Sequence, residues 1–230
     1  MGAFASAIML FGIALIFTAT SSLQVDAIQT LLNTENTPNL LRVGVLLTLI
    51  GFLFKIGAAP FHFWVPDVYQ GAPIWVTAYM STLVKIGGLI GFYQFISQIS
   101  TANGTSHFWD NALWIVVLAG FIIANFSATQ QTESKRLLAY SSVAHASLLV
   151  NTPETPSILL YYSLVYGLSN LLLFGVIMAL ANTENGLKVS AFKGLIKNNP
   201  FLTVVTTIGV LSLAGIPPFA GFFAKYFVLA

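Results

Sequence analysis

Three lysines stand among residues that ought to exclude them. Lys55 lies in Gly51-Phe-Leu-Phe-Lys-Ile-Gly-Ala-Ala-Pro60, Lys85 in Ser81-Thr-Leu-Val-Lys-Ile86 and Lys225 in Gly221-Phe-Phe-Ala-Lys-Tyr-Phe227. If these runs cross a bilayer, an ammonium at their depth costs about 2.5–3.5 kcal/mol on insertion scales. An ammonium withdrawn from water without a counter-ion tends to lose its proton, and a lysine so poised takes and releases protons near neutral pH. The seven acidic residues are Asp26, Glu35, Asp67, Asp110, Glu133, Glu154 and Glu184. All fall in polar stretches or at the ends of apolar runs, so the chain brings deep lysines and no carboxylate at that depth. Either another chain supplies the counter-charge, or the lysines meet a hydrated cavity. Both alternatives favour a proton path over a passive anchor.

The bland alternative is snorkelling. Roughly twelve residues separate Lys55 from the far end of its apolar run, about 18 Å at helical rise, beyond the reach of a side chain. Lys85 is placed similarly. Lys225 is the weaker case, because it lies close to the last residue of the sequence.

Composition decides the solvent in which these lysines sit. The chain has 230 residues, 57% hydrophobic and 7% charged, with mean hydropathy +0.84. Soluble domains carry about 25% charged residues; so few charges cannot cover a water-facing surface. The reading is an all-α polytopic membrane bundle forming a single membrane domain over residues 1–230. The net charge of +2 is too small to suggest a nucleic-acid partner, and none is expected; lipid is the expected surroundings. The sequence has no cysteine and no glycine-rich nucleotide loop after a strand, so no cofactor is expected and redox chemistry would belong elsewhere.

At about 20 residues per crossing, seven apolar spans are expected. They run near Gly2–Thr20, Val43–Val65, Pro73–Ile99, Ala112–Ala128, Leu137–Val150, Ile158–Ala181 and Phe201–Ala230. The fifth is short and crosses only if it starts near Thr132, with Lys135 and Arg136 snorkelling to the headgroups. The first lacks a basic leader and reads as a true span, not a signal peptide. The loops after spans two, four and six carry Lys135, Arg136, Lys188, Lys193 and Lys197, whereas those after spans one, three and five carry Arg42 alone. The positive-inside rule then sets the first group, and the N-terminus, on the cytoplasmic or matrix side. The polar stretch Asn182–Pro200 reads as a loop with a short surface helix.

Two spans are expected to break. Pro60 and Pro66 follow Lys55, and Gly215-Ile-Pro217-Pro218 precedes Lys225. Proline removes a helical hydrogen bond and clashes with the preceding turn. Freed backbone groups are tolerated in a membrane where they line a cavity or water path, and transporters place ion sites at such interruptions. One proline is an ordinary kink; a proline-interrupted helix with a lysine, occurring twice, is a pattern.

Three motifs then carry a resemblance. They are Gly51-Phe-Leu-Phe-Lys-Ile-Gly-Ala-Ala-Pro-Phe-His-Phe-Trp-Val-Pro-Asp-Val-Tyr-Gln-Gly-Ala-Pro73, Gln131-Thr-Glu-Ser-Lys-Arg-Leu-Leu-Ala-Tyr-Ser-Ser142 and Leu213-Ala-Gly-Ile-Pro-Pro-Phe-Ala-Gly-Phe-Phe-Ala-Lys225. Long and in order, they resemble the antiporter-like membrane subunits of respiratory complex I (NADH:ubiquinone oxidoreductase). The lysine of the third span points to the subunit-two, or N, type. The resemblance covers nearly the whole chain and implies a fourteen-helix core containing two inverted five-helix repeats.

Residue by residue, the resemblance implies a proton relay. Lys55 would be the lysine of the first broken helix, Lys85 the connecting lysine one helix later, and Lys225 the lysine of the second broken helix, on the outlet side. Lys135 and His145 would belong to the hydrated chain between them, with a packing role the equal alternative for His145. Two places depart from the family pattern: His145-Ala-Ser147 where His-x-Gly-Tyr is usual, and Ile74-Trp75 where small residues or proline are usual. The first span would match the sixth core helix, so a separate chain is expected to supply the earlier helices, including a membrane glutamate near Lys55. Other complex I membrane subunits are the implied partners. The implied function is proton translocation in a complex I-type enzyme, by a subunit that does no redox chemistry itself. The implied place is the mitochondrial inner membrane, with the bacterial plasma membrane or thylakoid as alternatives. A stand-alone cation/proton antiporter of the same superfamily, or a structural spacer, would be the other readings.

Overall fold

The computed structural model describes residues 2–34, 37–100, 106–151, 156–182 and 186–229. Its elements are helical throughout. Helix α1 (Gly2–Thr20) leads through the short α2 (Val25–Leu32) to α3 (Asn39–Ile56). After a break comes α4 (Trp64–Gly71), then a rod made of α5 (Ile74–Tyr79), a π-helical turn (Met80–Val84) and α6 (Lys85–Ser100). Helices α7 (Ser106–Thr129), α8 (Ser134–Leu149) and α9 (Pro156–Leu180) follow. A 3₁₀ turn (Val189–Phe192) and the single-turn α10 (Leu195–Asn198) precede the last pair, α11 (Pro200–Ala214) and α12 (Ala220–Leu229). Among the described residues the one β feature is an isolated bridge between Glu133 and Lys188.

The polarity of the bundle is that of a membrane protein. Phe4, Phe126, Trp75 and Phe201 are each exposed by two thirds or more, while Thr77, Ser81, Ser142 and Ser147 are fully buried. With lipid outside, apolar side chains have no reason to turn inward, and polar groups gather where other protein groups satisfy them. Among the described residues five helices, α1, α3, the α5–α6 rod, α7 and α9, are long and apolar enough to cross.

Helix contacts are close where side chains are small. Helix α1 packs along α3, and a Cβ placed on Gly12 would fall 2.7 Å from the Thr48 nitrogen and 2.8 Å from the Gly44 oxygen. The two backbones therefore touch, as small-residue interfaces in membranes allow. Glycine also ties α7 to α8: a Cβ at Gly120 would overlap the Ser147 side chain.

Span two is not one helix from Val43 to Val65. Helix α3 stops at Ile56, and span seven stops likewise at Ala214. Both prolines play a smaller part than the sequence suggested, because glycine ends each helix. Gly57 (φ 70°) and Gly215 (φ 77°) take the left-handed conformation. At the first break the Gly57 N–H donates to the Phe54 carbonyl (3.1 Å) and the Ala58 N–H to the Leu53 carbonyl (2.9 Å). At the second, Gly215 N–H donates to Ser212 (3.0 Å) and Ile216 N–H to Leu211 (3.1 Å). These are two Schellman caps, the motif in which glycine avoids the Cβ strain of the left-handed region. Proline then follows within three residues and prevents the helix from resuming at once.

The fifth span is the 16-residue α8, and parity makes it a crossing. The Arg136 guanidinium bonds Asp67 (3.0 Å) and Gln70 (2.7 Å), tying the segment before α5 to the start of α8. The Ser134 N–H donates to the Leu187 carbonyl and the Val189 N–H to the Thr132 carbonyl, both at 2.9 Å, tying the start of α8 to the segment after α9. The loops after spans two, four and six therefore share one face, as seven alternating crossings require. Lys135 does not snorkel: it is 5% exposed, and its Nζ donates to the Ala72 carbonyl at the end of α4 (2.7 Å). A carbonyl left over at a helix C-terminus is a better partner for the ammonium than a headgroup it would have to stretch towards.

Candidate functional site

The π turn sets where Lys85 emerges. One extra residue in a turn rotates everything after it by about 100° around the helix axis, and such turns gather at functional sites. Lys85 is 4% exposed. Its Nζ donates to the Ser142 carbonyl (3.0 Å) and to the Ser142 hydroxyl (2.9 Å) on α8. The Ser142 hydroxyl in turn donates to the Ala139 carbonyl (2.8 Å). Among the described residues the one ion pair is Arg136–Asp67, so Lys85 is held by neutral oxygens alone.

His145 lies one turn beyond Ser142 on α8, at the i, i+3 spacing that shares a helix face. It is 8% exposed, its Nδ1 is 2.7 Å from the Tyr162 phenol, and its ring centroid is 5.1 Å from that of Tyr166. Tyr162 and Tyr166, at i and i+4 on α9, face it together. His145, Tyr162, Ser141, Asn125 and Lys225 line a cavity of about 350 Å³. The same two groups, imidazole and ammonium, thus open onto one space between α8 and α12.

Lys225 spans the second break. It starts from α12 and donates its Nζ back to the Leu213 (2.8 Å) and Ala214 (3.0 Å) carbonyls at the end of α11. These carbonyls are the ones the Schellman cap leaves without a backbone donor, and a cation there also meets the negative end of the helix dipole. The Lys225 stem runs over Gly215, where a Cβ would stand 2.8 Å from its Cδ.

Lys55 differs from the sequence expectation. It is the penultimate residue of α3, at the break, and not in the middle of a continuous span. Its side chain is exposed on the flank of the chain and opens onto a groove of about 430 Å³ between α1, α3, α4 and the π turn, with Met9, Trp64 and Val84 in its walls. No described residue offers it a hydrogen bond or a carboxylate. The break around it is braced from within: the Ser147 hydroxyl accepts from the Ala59 N–H (3.1 Å), and the Trp64 indole donates to the Phe54 carbonyl (2.9 Å).

The structure therefore gathers Lys85, His145 and Lys225 along α8, leaves Lys55 on the outside, and uses Lys135 at the end of α4. Sequence reasoning missed Ser142, Tyr69, Tyr162 and Tyr166. Ser142 lies beside the Tyr69 and Tyr166 phenols and is the hydrogen-bond partner through which Lys85 reaches α8. The available signal was the common face of Ser142 and His145 and of Tyr162 and Tyr166. Neutral hydroxyls in apolar helices look like ordinary back-bonded side chains.

Comparison with known proteins gives this architecture its kinship. A family model described as "NADH:quinone oxidoreductase/Mrp antiporter, TM" matches residues 1–230. The chain belongs to this family. It is 39% identical over 233 residues to NADH-quinone oxidoreductase subunit N of Flavobacterium psychrophilum, covering 100% of this chain and 51% of that protein. Among solved structures it is similar to a chain of respiratory complex I from Thermus thermophilus with bound aureothin, at TM-score 0.80 and 36% identity, over 99% of this chain and 49% of that one. A chain of the membrane-bound sulfane sulfur reductase, an archaeal respiratory membrane complex, superposes with TM-score 0.86 at 26% identity, over 100% of this chain and 48% of that one. The chain thus spans about half the length of the relatives it matches. The bundle described above is a polytopic helical membrane fold.

Proposed function

We propose that this chain is a proton-translocating part of the membrane arm of a complex I-type NADH:quinone oxidoreductase, working as a single membrane domain over residues 1–230. The observation that carries the proposal is Lys85, a cation buried in mid-bundle against the neutral oxygens of Ser142, which lies one helical turn along α8 from His145, a residue that shares a cavity with Lys225. A structural role would favour a carboxylate partner, because an uncompensated buried charge is costly. A proton carrier needs a site where both protonation states are tolerated, and hydroxyl and carbonyl oxygens provide it.

In this reading Lys55 receives or delivers protons at one end, Lys85 connects, and Lys225 passes them on at the second break, with His145 and Lys135 along the way. A charge moved nearby shifts each site through Coulomb terms that are strong at low dielectric. Quinone reduction would take place on other subunits and reach this chain as such a shift. The exposed ammonium of Lys55 in an apolar groove asks for a membrane carboxylate from a neighbouring helix, on this or a separate chain, and other membrane subunits are the expected neighbours. The bacterial relative supports the plasma membrane of a bacterium as the site, with the mitochondrial inner membrane as its organellar counterpart. The basic loops after spans two, four and six would face the cytoplasm or matrix. A cation/proton antiporter is the second reading, because the family spans both kinds of machine; co-purification of iron–sulfur subunits separates the two.

The test replaces Lys55 with Ala and with Arg in the intact complex and measures protons moved per electron pair in vesicles. Arginine keeps the charge but cannot release a proton. The relay predicts failure of both variants with assembly intact. Full proton movement in Lys55→Arg would leave only charge pairing, the spacer reading.

A further inference from the structure

We propose that the Tyr166 phenol, together with one buried water, links the Lys85–Ser142 pair to Lys225. This rests on the proton-relay reading above and names the route inside it. Tyr166 is 2% exposed, and its hydroxyl has no hydrogen-bond partner among the described residues. It lies alongside the Ser142 and Asn170 side chains. The Oδ1 of Asn170, one turn further along α9, is likewise buried and unpartnered. Buried polar atoms without partners are costly, and water is their usual remedy.

The second observation is a void bounded by the same side chain. His145, Tyr166, Ser169, Ser212 and Lys225 line about 10 Å³ of water-sized space between α8, α9, α11 and α12. A single water needs about 10–15 Å³ and two to four polar partners. The Ser169 hydroxyl already donates to that of Ser212 (2.8 Å), so this wall is polar and ordered. Tyr166 stands between the two places: its oxygen is beside Ser142, the partner of Lys85, and its side chain bounds the void that Lys225 shares.

The transfer balances as a chain of hops. The Lys85 ammonium gives a proton to the Ser142 oxygen while the Ser142 hydroxyl turns from the Ala139 carbonyl and passes its own proton to the Tyr166 oxygen. Tyr166 releases its phenolic proton to the water, and the water passes one to a neutral Lys225 amine. Lys85 ends neutral, Lys225 ends charged, and serine, tyrosine and water are unchanged. The hydroxyls then rotate back before the next proton.

The test is Tyr166→Phe in the intact complex, with Lys85→Met in parallel, reading proton uptake by vesicles and the melting midpoint of the purified complex. Phenylalanine keeps the ring against His145 and removes only the hydroxyl. Proton uptake is expected to fall by about a hundredfold, the low end of what a positioned proton carrier contributes, with the midpoint unchanged or raised. Normal uptake in Tyr166→Phe with uptake lost in Lys85→Met would overturn the tyrosine route and leave the lysine relay standing. Normal uptake in both would overturn the relay and the route together. Lost uptake accompanied by a lowered midpoint would make the hydroxyl structural and overturn the route as well.

Discussion

Replacing Lys85 with Met should make the protein more stable and stop it from moving protons. The magnitude follows from the partners of the ammonium. At mid-span a lysine costs about 2.5–3.5 kcal/mol on insertion scales. Against this stand two hydrogen bonds, to the carbonyl and hydroxyl of Ser142 at 3.0 and 2.9 Å. Polar contacts between membrane helices average about 0.6 kcal/mol each, so the pair returns only part of the cost. Methionine fills a similar volume, and the loss of Lys85 orphans nothing, because the Ser142 hydroxyl still donates to the Ala139 carbonyl. The net expectation is a gain of about 1–2 kcal/mol. The assay compares thermal melting of the wild-type and variant complexes in the same detergent, beside proton uptake in vesicles. A variant that melts several degrees lower, with uptake retained, would refute the reasoning. Lys85 would then be a structural clamp between α6 and α8, kept for stability and not for its proton.

Lys225→Met should do the reverse, because it strips the donor from the Leu213 and Ala214 carbonyls; a loss of about 1–3 kcal/mol is expected, read as a lower melting midpoint that Lys225→Arg restores without restoring proton uptake. Gly12→Leu should separate α1 from α3, since even a Cβ meets backbone at under 3 Å; reduced assembly on native gels checks it, and normal assembly would show that the α1–α3 contact is dispensable. Cysteines placed at Lys188 and Lys197 should react with impermeant reagents from the cytoplasmic or matrix side only, and labelling from the opposite side would invert the topology.

Much of the fold was legible because a bilayer leaves few options. Apolar runs of the right length must be helices, and their approximate places are readable from hydropathy alone. The short fifth span was the doubtful crossing. Parity removed the doubt, through Arg136 reaching Asp67 and Val189 reaching Thr132 across loops that sequence cannot pair. The breaks were also legible as places, through Pro60 and Pro217-Pro218, but their cause was not. Glycine three residues ahead of Pro60 and two ahead of Pro217 ends each helix, because the left-handed cap must form before a proline can matter.

By itself the sequence determined the solvent, the helical class, the two interruptions and the presence of lysines where none should be tolerated. These follow from composition and from local backbone chemistry, which need no knowledge of neighbours. Only the tertiary structure decided what each lysine does. Lys85 and Lys55 look alike as letters in apolar runs, yet one is enclosed by Ser142 and the other faces outward on α3. Lys135, expected at the headgroups, turns inward to cap α4, and Lys225 folds back over Gly215 to the end of α11. The difference is physical: the fate of a charge in a membrane depends on the oxygens within about 3 Å of it, and those oxygens come from helices distant in the chain.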